Sequence, residues 1–224
     1  NFQIILYYII KLNIMSLPEF LINGYKDWKE NIYPKKKELL DILLKEGQKP
    51  KAMIITCCDS RVNITKIFNG EIGDFFVYRN IANLIPSFNL KDSNEGVQPA
   101  IEYGIENLKI KDLIILGHSN CGGIKHAYQL LSGQIKNNNK KIDRWVENIK
   151  PSFIKLDKNQ NNEKNIKSLE KLSIINSISN LLTSVEINKL VTDRKLKIHG
   201  IWFDLKTGNL EYYNQSQNKF KNLT

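Results

Sequence analysis

The chain has 224 residues, of which 42% are hydrophobic and 25% are charged, a balance typical of a globular protein with a substantial core. Its three cysteines are too few for a disulfide-stapled secreted fold, so free thiols and a reducing, cytoplasmic location are expected. The formal net charge of +10 raises the question of nucleic-acid binding, but the lysines are scattered and no nucleic-acid-binding motif is present. We therefore expect no nucleic-acid partner.

Residues 1–14 are strongly apolar and precede Met15. The run is shorter than a membrane-spanning helix and lacks the basic leading region and cleavage site of a signal peptide. We interpret it as a non-native extension ahead of a translation start at Met15; the alternative is a short membrane-surface or docking segment. Residues 15–224 contain no linker and no repeat, so they are predicted to form one domain without a membrane partner.

The hydrophobic pattern of the first two thirds predicts helices that alternate with strands. Two helices come first, and Pro34 in the first turn and Gly47 at the end delimit the second of them. The predicted helices are residues 17–31, 35–46, 96–109 and 121–131, and the predicted strands are residues 52–57, 74–79 and 113–118. Such alternation predicts a parallel sheet, in which ligands bind beyond the carboxyl ends of the strands.

The last third predicts further helices and a hairpin. Residues 142–153 are expected to form a helix with a kink at Pro151, and residues 165–190 one long amphipathic helix. Residues 196–213 are expected to form two strands around a turn that contains glycine. The predicted fold class is therefore α/β, with a mostly parallel central sheet, a C-terminal antiparallel edge strand and flanking helices.

All three cysteines lie in two short motifs, each directly after a predicted strand. The first is TCCDSRV at residues 56–62, and the second is GHSNCGG at residues 117–123. The alternative to a functional site is a pair of buried cysteines and a histidine that is satisfied in the core. The coincidence of two such motifs at strand ends favours a metal.

The two motifs together offer ligands that zinc prefers, namely Cys57, His118 and Cys121. Three protein ligands leave the fourth tetrahedral position free, as in catalytic zinc sites. The side chains of Cys57 and Cys58 point to opposite faces of a strand, so only one of these two cysteines binds the ion.

Asp59 and Arg61 share the first motif and are expected to form a bidentate carboxylate–guanidinium pair. A carboxylate held in this way can accept a hydrogen bond from a metal-bound hydroxide. The alternative is an ordinary surface salt bridge.

The paired motifs resemble those of the β-class carbonic anhydrases. The likeness extends to GDFFVYRNIANLIP at residues 73–86 and to residues 100–127, and it covers about residues 16–213. It implies a zinc-dependent enzyme, carbonate dehydratase, that reversibly hydrates carbon dioxide to bicarbonate and a proton.

The resemblance also implies the roles of individual residues. Zinc would be held by Cys57, His118 and Cys121, with Cys58 at a variable position. Asp59 and Arg61 would be the catalytic dyad that orients a zinc-bound hydroxide as it attacks carbon dioxide.

The family has two styles of active site. One has an inhibitory bicarbonate site supported by a tryptophan, an arginine and a tyrosine; here Ile54 takes the tryptophan position, although Arg79 is present. The other is the open, plant-like (type I) style. For that style the resemblance implies the substrate-binding residues Gln48, Phe76, Ile81, Tyr103 and Gly122. We expect the open style, in a homodimer or higher homo-oligomer whose cleft is formed by two chains.

Two other functions share these residues. A zinc-stabilised scaffold protein without catalysis is disfavoured by the presence of Asp59, Arg61 and Gln48, whereas hydrolysis of carbon disulfide or carbonyl sulfide would use the same metal and dyad. For proton transfer, His126 is a weak candidate, and His199 is expected to be structural.

Overall fold

The computed structural model describes residues 3–4, 17–88 and 96–223. The chain divides into two compact units, one that ends at Gly47 and one that begins at Gln48. The extension predicted at residues 1–14 lies almost wholly outside the described residues, and the domain division predicted from sequence stays a prediction. Within the described residues, no helix is both long enough and apolar enough to cross a membrane.

The first unit contains the two predicted helices. Helix α1 is Glu19–Asp27, a π-helical turn follows at Trp28–Ile32, and helix α2 is Tyr33–Glu46. Pro34 lies in the first turn of α2, and Gly47 ends the helix with a φ of 78°, a left-handed conformation that glycine adopts without strain. No residue of these helices is buried.

The second unit is built on a six-stranded sheet in the order β2-β1-β3-β4-β5-β6. The strands are β1 Ala52–Cys57, β2 Phe75–Asn80, β3 Asp112–His118, β4 Lys197–Phe203, β5 Leu210–Asn214 and β6 Lys219–Asn222. Strands β1 to β4 pair in parallel, and β5 and β6 pair antiparallel at one edge. This confirms the predicted fold class, although β6 was not predicted.

Helices flank the sheet. They are α3 Ile64–Ile67, α4 Val97–Glu106, α5 Gly122–Leu131, α6 Lys141–Val146, α7 Lys150–Phe153, α8 Asn162–Leu181 and α9 Val185–Thr192. The prediction of a single helix over residues 165–190 was wrong. The side chain of Ser184 accepts a hydrogen bond from the N–H of Ile187 and caps α9, so a second helix begins there. The kink expected at Pro151 comes earlier, in a 3-10 turn at Glu147–Ile149, because Pro151 lies in the first turn of α7.

Side chains of the central strands alternate between the two faces of the sheet. Met53 and Ile55 pack with Ile174 of α8 in the larger core, whereas Ile54 and Leu116 belong to a smaller cluster. Cys57 follows Ile55 by two positions, so it points to the larger core's side and is buried. Cys58, one position further on, is exposed.

Helix α8 lies unusually close to the sheet. A Cβ atom on Gly117 of β3 or on Gly200 of β4 would come within 2.8 Å of the side chain of Ile174. Both positions therefore require glycine if α8 is to keep its place.

Candidate metal centre and active site

The two motifs meet because their strands are neighbours. β1 and β3 pair in parallel up to Thr56 and Leu116, so their carboxyl ends lie side by side. Cys57 is the last residue of β1, His118 is the last residue of β3, and Cys121 directly precedes α5. We call Cys57, His118 and Cys121 the metal group; their ligand atoms all lie within 4.8 Å of one another, and all three residues are buried.

The histidine of the metal group presents one free nitrogen. His118 Nδ1 lies 2.8 Å from the carbonyl oxygen of Ser119, so it donates a proton to that oxygen. His118 Nε2 is buried and has no hydrogen-bond partner within the described part of the chain. Since buried polar atoms are normally satisfied, an unpartnered nitrogen with its lone pair free fits a metal ligand.

The two sulfur atoms of the metal group also fit a cation. Cys57 Sγ and Cys121 Sγ lie 3.8 Å apart. The hydrogen bond from Cys121 lowers the pKa of Cys57, and the same contact raises the pKa of Cys121, because a second negative charge beside the first is unfavourable. A divalent ion removes this conflict, and two thiolates with one imidazole are a typical zinc ligand set.

Arg79 fixes the loop between β1 and α3, which carries the first motif. Its guanidinium donates to the carbonyl oxygen of Cys57 at 2.7 Å and to that of Val62 at 2.6 Å. Both ends of the loop are thus tied to one side chain on β2. Sequence reasoning placed Arg79 among the residues of the inhibitory style and missed this contact.

Asp59 and Arg61 form a bidentate pair beside the metal group. Arg61 Nε donates to Asp59 Oδ1 at 2.9 Å, and Arg61 Nη2 donates to Asp59 Oδ2 at 2.7 Å. These hydrogen bonds hold the pKa of Asp59 well below its usual range. Asp59 Oδ2 lies 3.9 Å from His118 Nε2, and Arg61 Nη2 also donates to the carbonyl oxygen of Asn120 at 3.1 Å. The ion pair therefore connects the two motifs.

The predicted substrate-binding residues are more dispersed. The rings of Phe76 and Tyr103 are in contact, with 5.9 Å between their centroids. Ile81 is 39% exposed, and Gly122 is the exposed first residue of α5. Gln48 lies exposed in the loop before β1 and makes no side-chain hydrogen bond within the described residues. A single chain thus brings together the metal group and the ion pair.

Sequence reasoning missed Glu170 of α8. Its Oε1 accepts from the backbone N–H of Cys121 at 3.2 Å, and its Oε2 accepts from Trp202 Nε1 at 3.1 Å. Burial raises the pKa of Glu170 to about 7. The available signal was an acid at helical spacing from the buried residues Ile174 and Ile178, since charged side chains are rare on such a stripe.

Ser119 ties the second motif to the loop after β4. Its hydroxyl donates to Asp204 Oδ1 at 3.0 Å and accepts from the N–H of Leu205 at 2.8 Å. Its own N–H donates to the carbonyl oxygen of Phe203 at 2.9 Å. These contacts join residues that are more than eighty positions apart, so local sequence patterns carry no sign of them.

The other two histidines pair with carboxylates. His126 Nε2 lies 2.8 Å from Asp143 Oδ1, and His199 Nε2 lies 2.9 Å from Asp112 Oδ1. Neither histidine belongs to the metal group.

The fold and the site define a class of protein: an α/β protein with a buried Cys–His–Cys metal group at the carboxyl ends of its central parallel strands. Residues 52–210 match the family model described as carbonic anhydrase. The chain is 31% identical to beta carbonic anhydrase 3 of Arabidopsis thaliana over 204 residues. The aligned region covers 90% of this chain and 78% of that protein. A carbonic anhydrase of Synechococcus elongatus is 30% identical over 193 residues, or 85% of this chain and 69% of that protein.

Solved structures agree with these relatives. The β-carbonic anhydrase CcaA superimposes with a TM-score of 0.84 and is 28% identical, with 92% of each chain covered. A tetrameric β-carbonic anhydrase of Sordaria macrospora gives a TM-score of 0.66 at 27% identity, over 92% of this chain and 95% of that one. The chain therefore belongs to the β-carbonic anhydrase family. As an enzyme it is a lyase that hydrates carbon dioxide, and its cofactor is zinc, which confirms both predictions from the sequence.

Proposed function

We propose that Cys57, His118 and Cys121 hold the zinc ion and that Asp59 and Arg61 are the catalytic dyad for reversible hydration of carbon dioxide to bicarbonate and a proton. The observation that carries this proposal is the position of Asp59: its Oδ2 lies 3.9 Å from His118 Nε2 while Arg61 holds both of its oxygens. Zinc, when bound, supplies a Lewis acid that makes water nucleophilic near neutral pH.

The low pKa of Asp59 determines what this carboxylate does. Because Arg61 donates to both oxygens, Asp59 stays ionised and acts as a hydrogen-bond acceptor rather than as a store for the released proton. It accepts a hydrogen bond at Oδ2 from the attacking water and so aims the oxygen lone pair at carbon dioxide. The bond from Arg61 to Asn120 fixes the dyad relative to the second motif.

Five residues are proposed to line the substrate pocket: Gln48, Phe76, Ile81, Tyr103 and Gly122. Phe76, Ile81 and Tyr103 offer apolar surface, which suits an uncharged linear substrate. Gln48 is proposed to donate a hydrogen bond to bicarbonate, and Gly122 is proposed to offer its backbone.

A homodimer or higher homo-oligomer is proposed because one chain leaves this pocket open. Ile81 is 39% exposed and Tyr103 is 46% exposed, although both are large hydrophobic residues. A second chain would cover them and complete the pocket around Gln48. The solved enzyme of Sordaria macrospora is described as tetrameric, which supports assembly.

We further propose the open, type I style of active site. Ile54, at the tryptophan position of the inhibitory style, is fully buried against Val62 and Leu116. Arg79 is engaged with backbone carbonyls of the first motif. Because Arg61 holds both oxygens of Asp59, we expect water rather than this carboxylate at the fourth zinc position, and activity that rises smoothly through mildly alkaline pH. A steep, cooperative loss of turnover below neutrality would contradict this style.

A cytoplasmic location is proposed on the three free cysteines, which suit a reducing compartment. One relative, beta carbonic anhydrase 6 of Arabidopsis thaliana, is described as mitochondrial, so cell fractionation with an antibody decides the location. Recovery in an organelle fraction would overturn it.

Metal analysis with a stopped-flow hydration assay tests the function. The purified protein is expected to carry one zinc ion per chain and to hydrate carbon dioxide. Removal of zinc by a chelator should abolish the activity, and added zinc should restore it. A zinc-loaded protein without hydration activity would contradict the proposal and favour a scaffold role.

A further inference from the structure

A buried carboxylate reaches the second motif from α8. Glu170 is 3% exposed and Trp202 is 1% exposed, and no water is needed to satisfy the carboxylate because each of its oxygens accepts an N–H hydrogen bond. One of these donors is the backbone of Cys121, a member of the metal group, and the other is the indole of Trp202. The metal group is thus connected to α8 and β4 through a single side chain.

The position of Glu170 is fixed by close packing. Ile174, one helical turn further along α8, lies against Gly117 and Gly200, where no Cβ would fit. On the outer side, the Lys171 ammonium lies 4.5 Å from the Trp202 ring centre and pairs with Glu211 at 2.6 Å. Helix and indole are therefore both held in place, and the carboxylate has little freedom to turn.

Burying a carboxylate costs folding free energy unless hydrogen bonds compensate for the lost hydration. We therefore asked which hydrogen bonds a neutral side chain could not make at this position. A carboxylate has only acceptors, so it can serve two N–H donors at once, whereas an amide offers one acceptor and one donor group. The arrangement of Cys121 and Trp202 needs two acceptors. This requirement explains an acid at a buried position of α8.

We propose that Glu170 is a positioning residue for the zinc ligand Cys121. Its carboxylate, oriented by Trp202 Nε1–H, holds the backbone N–H of Cys121 and so keeps Cys121 Sγ 3.8 Å from Cys57 Sγ, where one ion can be shared. Partners of this kind around a metal site commonly set its metal affinity. The inference rests on the proposed ligand set and goes beyond it by adding a residue that does not touch the metal.

The test compares zinc release from Glu170→Gln, Trp202→Phe and the double variant. In Glu170→Gln the amide donor faces one of the two N–H groups, so zinc should be released to excess chelator about 10–100-fold faster than from wild type. Phenylalanine keeps an aromatic ring but lacks the N–H. The double variant therefore removes the donor–donor conflict, and its zinc release should be slower than that of Glu170→Gln alone.

Asp143→Asn is the matched control. Asp143 is also 3% exposed, and it also accepts from backbone N–H groups, those of Asn138 and Lys140, but it does not contact the metal group. Its variant should release zinc at the wild-type rate. The visible spectrum of the cobalt-loaded proteins gives a second readout, which should shift for Glu170→Gln and not for Asp143→Asn.

If Glu170→Gln releases zinc no faster than Asp143→Asn, the proposal is overturned. Comparison of these two variants is sufficient for the test even if the Trp202 variants do not fold. A double variant that releases zinc as fast as Glu170→Gln would also overturn it. Failure of the ligand set is a separate result, since Cys57→Ser would then retain zinc as well as wild type.

Discussion

The turn after β1 and the turn after β3 both supply metal ligands, but different contacts hold them. After β1, Cys58, Ser60 and Arg61 are exposed, and an ion pair closes the turn. After β3, Ser119 and Cys121 are buried, and hydrogen bonds with α8, with β4 and with the loop after β4 hold them.

The difference suggests that the first turn serves mainly catalysis and the second turn mainly metal retention and stability. The exposed side chains of the first turn are free to meet substrate, and replacing them should change chemistry more than folding. The second turn is part of the core, so its replacements should change metal retention and stability. Each of the following predictions compares two matched residues, either within one turn or between the two turns.

The largest effect is expected at the adjacent cysteines. Cys57→Ser should remove most of the zinc and with it the activity, because Cys57 is buried 3.8 Å from the second sulfur. Cys58→Ser should retain zinc, because Cys58 is exposed and lies outside the metal group. Metal analysis of both purified variants checks this. Equal zinc loss in the two would refute the ligand assignment.

A smaller effect is expected at the adjacent glycines at the start of α5. A Cβ on Gly123 would lie 2.7 Å from Ile81 Cγ2 and 3.0 Å from Ala82 Cβ, whereas a Cβ on Gly122 meets no atom within 4 Å. Gly123→Ala should therefore lower the free energy of unfolding by about 1–3 kcal/mol. Gly122→Ala should change it by less than about 0.5 kcal/mol.

Chemical denaturation at one fixed protein concentration measures both glycine variants, since assembly makes stability depend on concentration. Equal stability of the two would show that α5 shifts easily at this point. The close packing of the second turn against Ile81 would then not be a constraint.

The smallest effect is expected from the serines, one in each turn. Ser119→Ala leaves the N–H of Leu205 without its acceptor and should cost about 1 kcal/mol. Ser60→Ala should be nearly neutral, within about 0.5 kcal/mol, because Ser60 is exposed. Thermal unfolding of the two variants gives the comparison. A larger loss of stability in Ser60→Ala than in Ser119→Ala would contradict the proposed structural role of the second turn.

The sequence predicted those features that depend on local pattern. Apolar runs gave the strands, and the position of both motifs directly after β1 and β3 predicted that Cys57 and His118 would meet. The contacts of Glu170, Arg79 and Ser119 could not be predicted in this way, since each joins residues that only the tertiary fold brings together.

The misplaced helix boundary has a similar origin. Apolar residues continue at helical spacing through residues 165–190, so the pattern alone shows no break. In the structure, the side chain of Ser184 caps the start of α9 and so separates it from α8. This serine is one of several in the segment, so the sequence alone does not identify it as a cap. Strand β6 is short and bears lysines, so its pattern resembles a surface loop.

The central claim is that Asp59, held by Arg61, orients the attacking water at the zinc site. Asp59→Asn keeps the shape of the side chain but can turn an N–H donor towards that water. The most direct test is stopped-flow hydration of carbon dioxide by zinc-loaded Asp59→Asn and wild type at equal zinc content. We predict that turnover falls by roughly 10²–10⁴-fold while zinc stays bound. Near-normal turnover in the zinc-loaded variant would contradict the account.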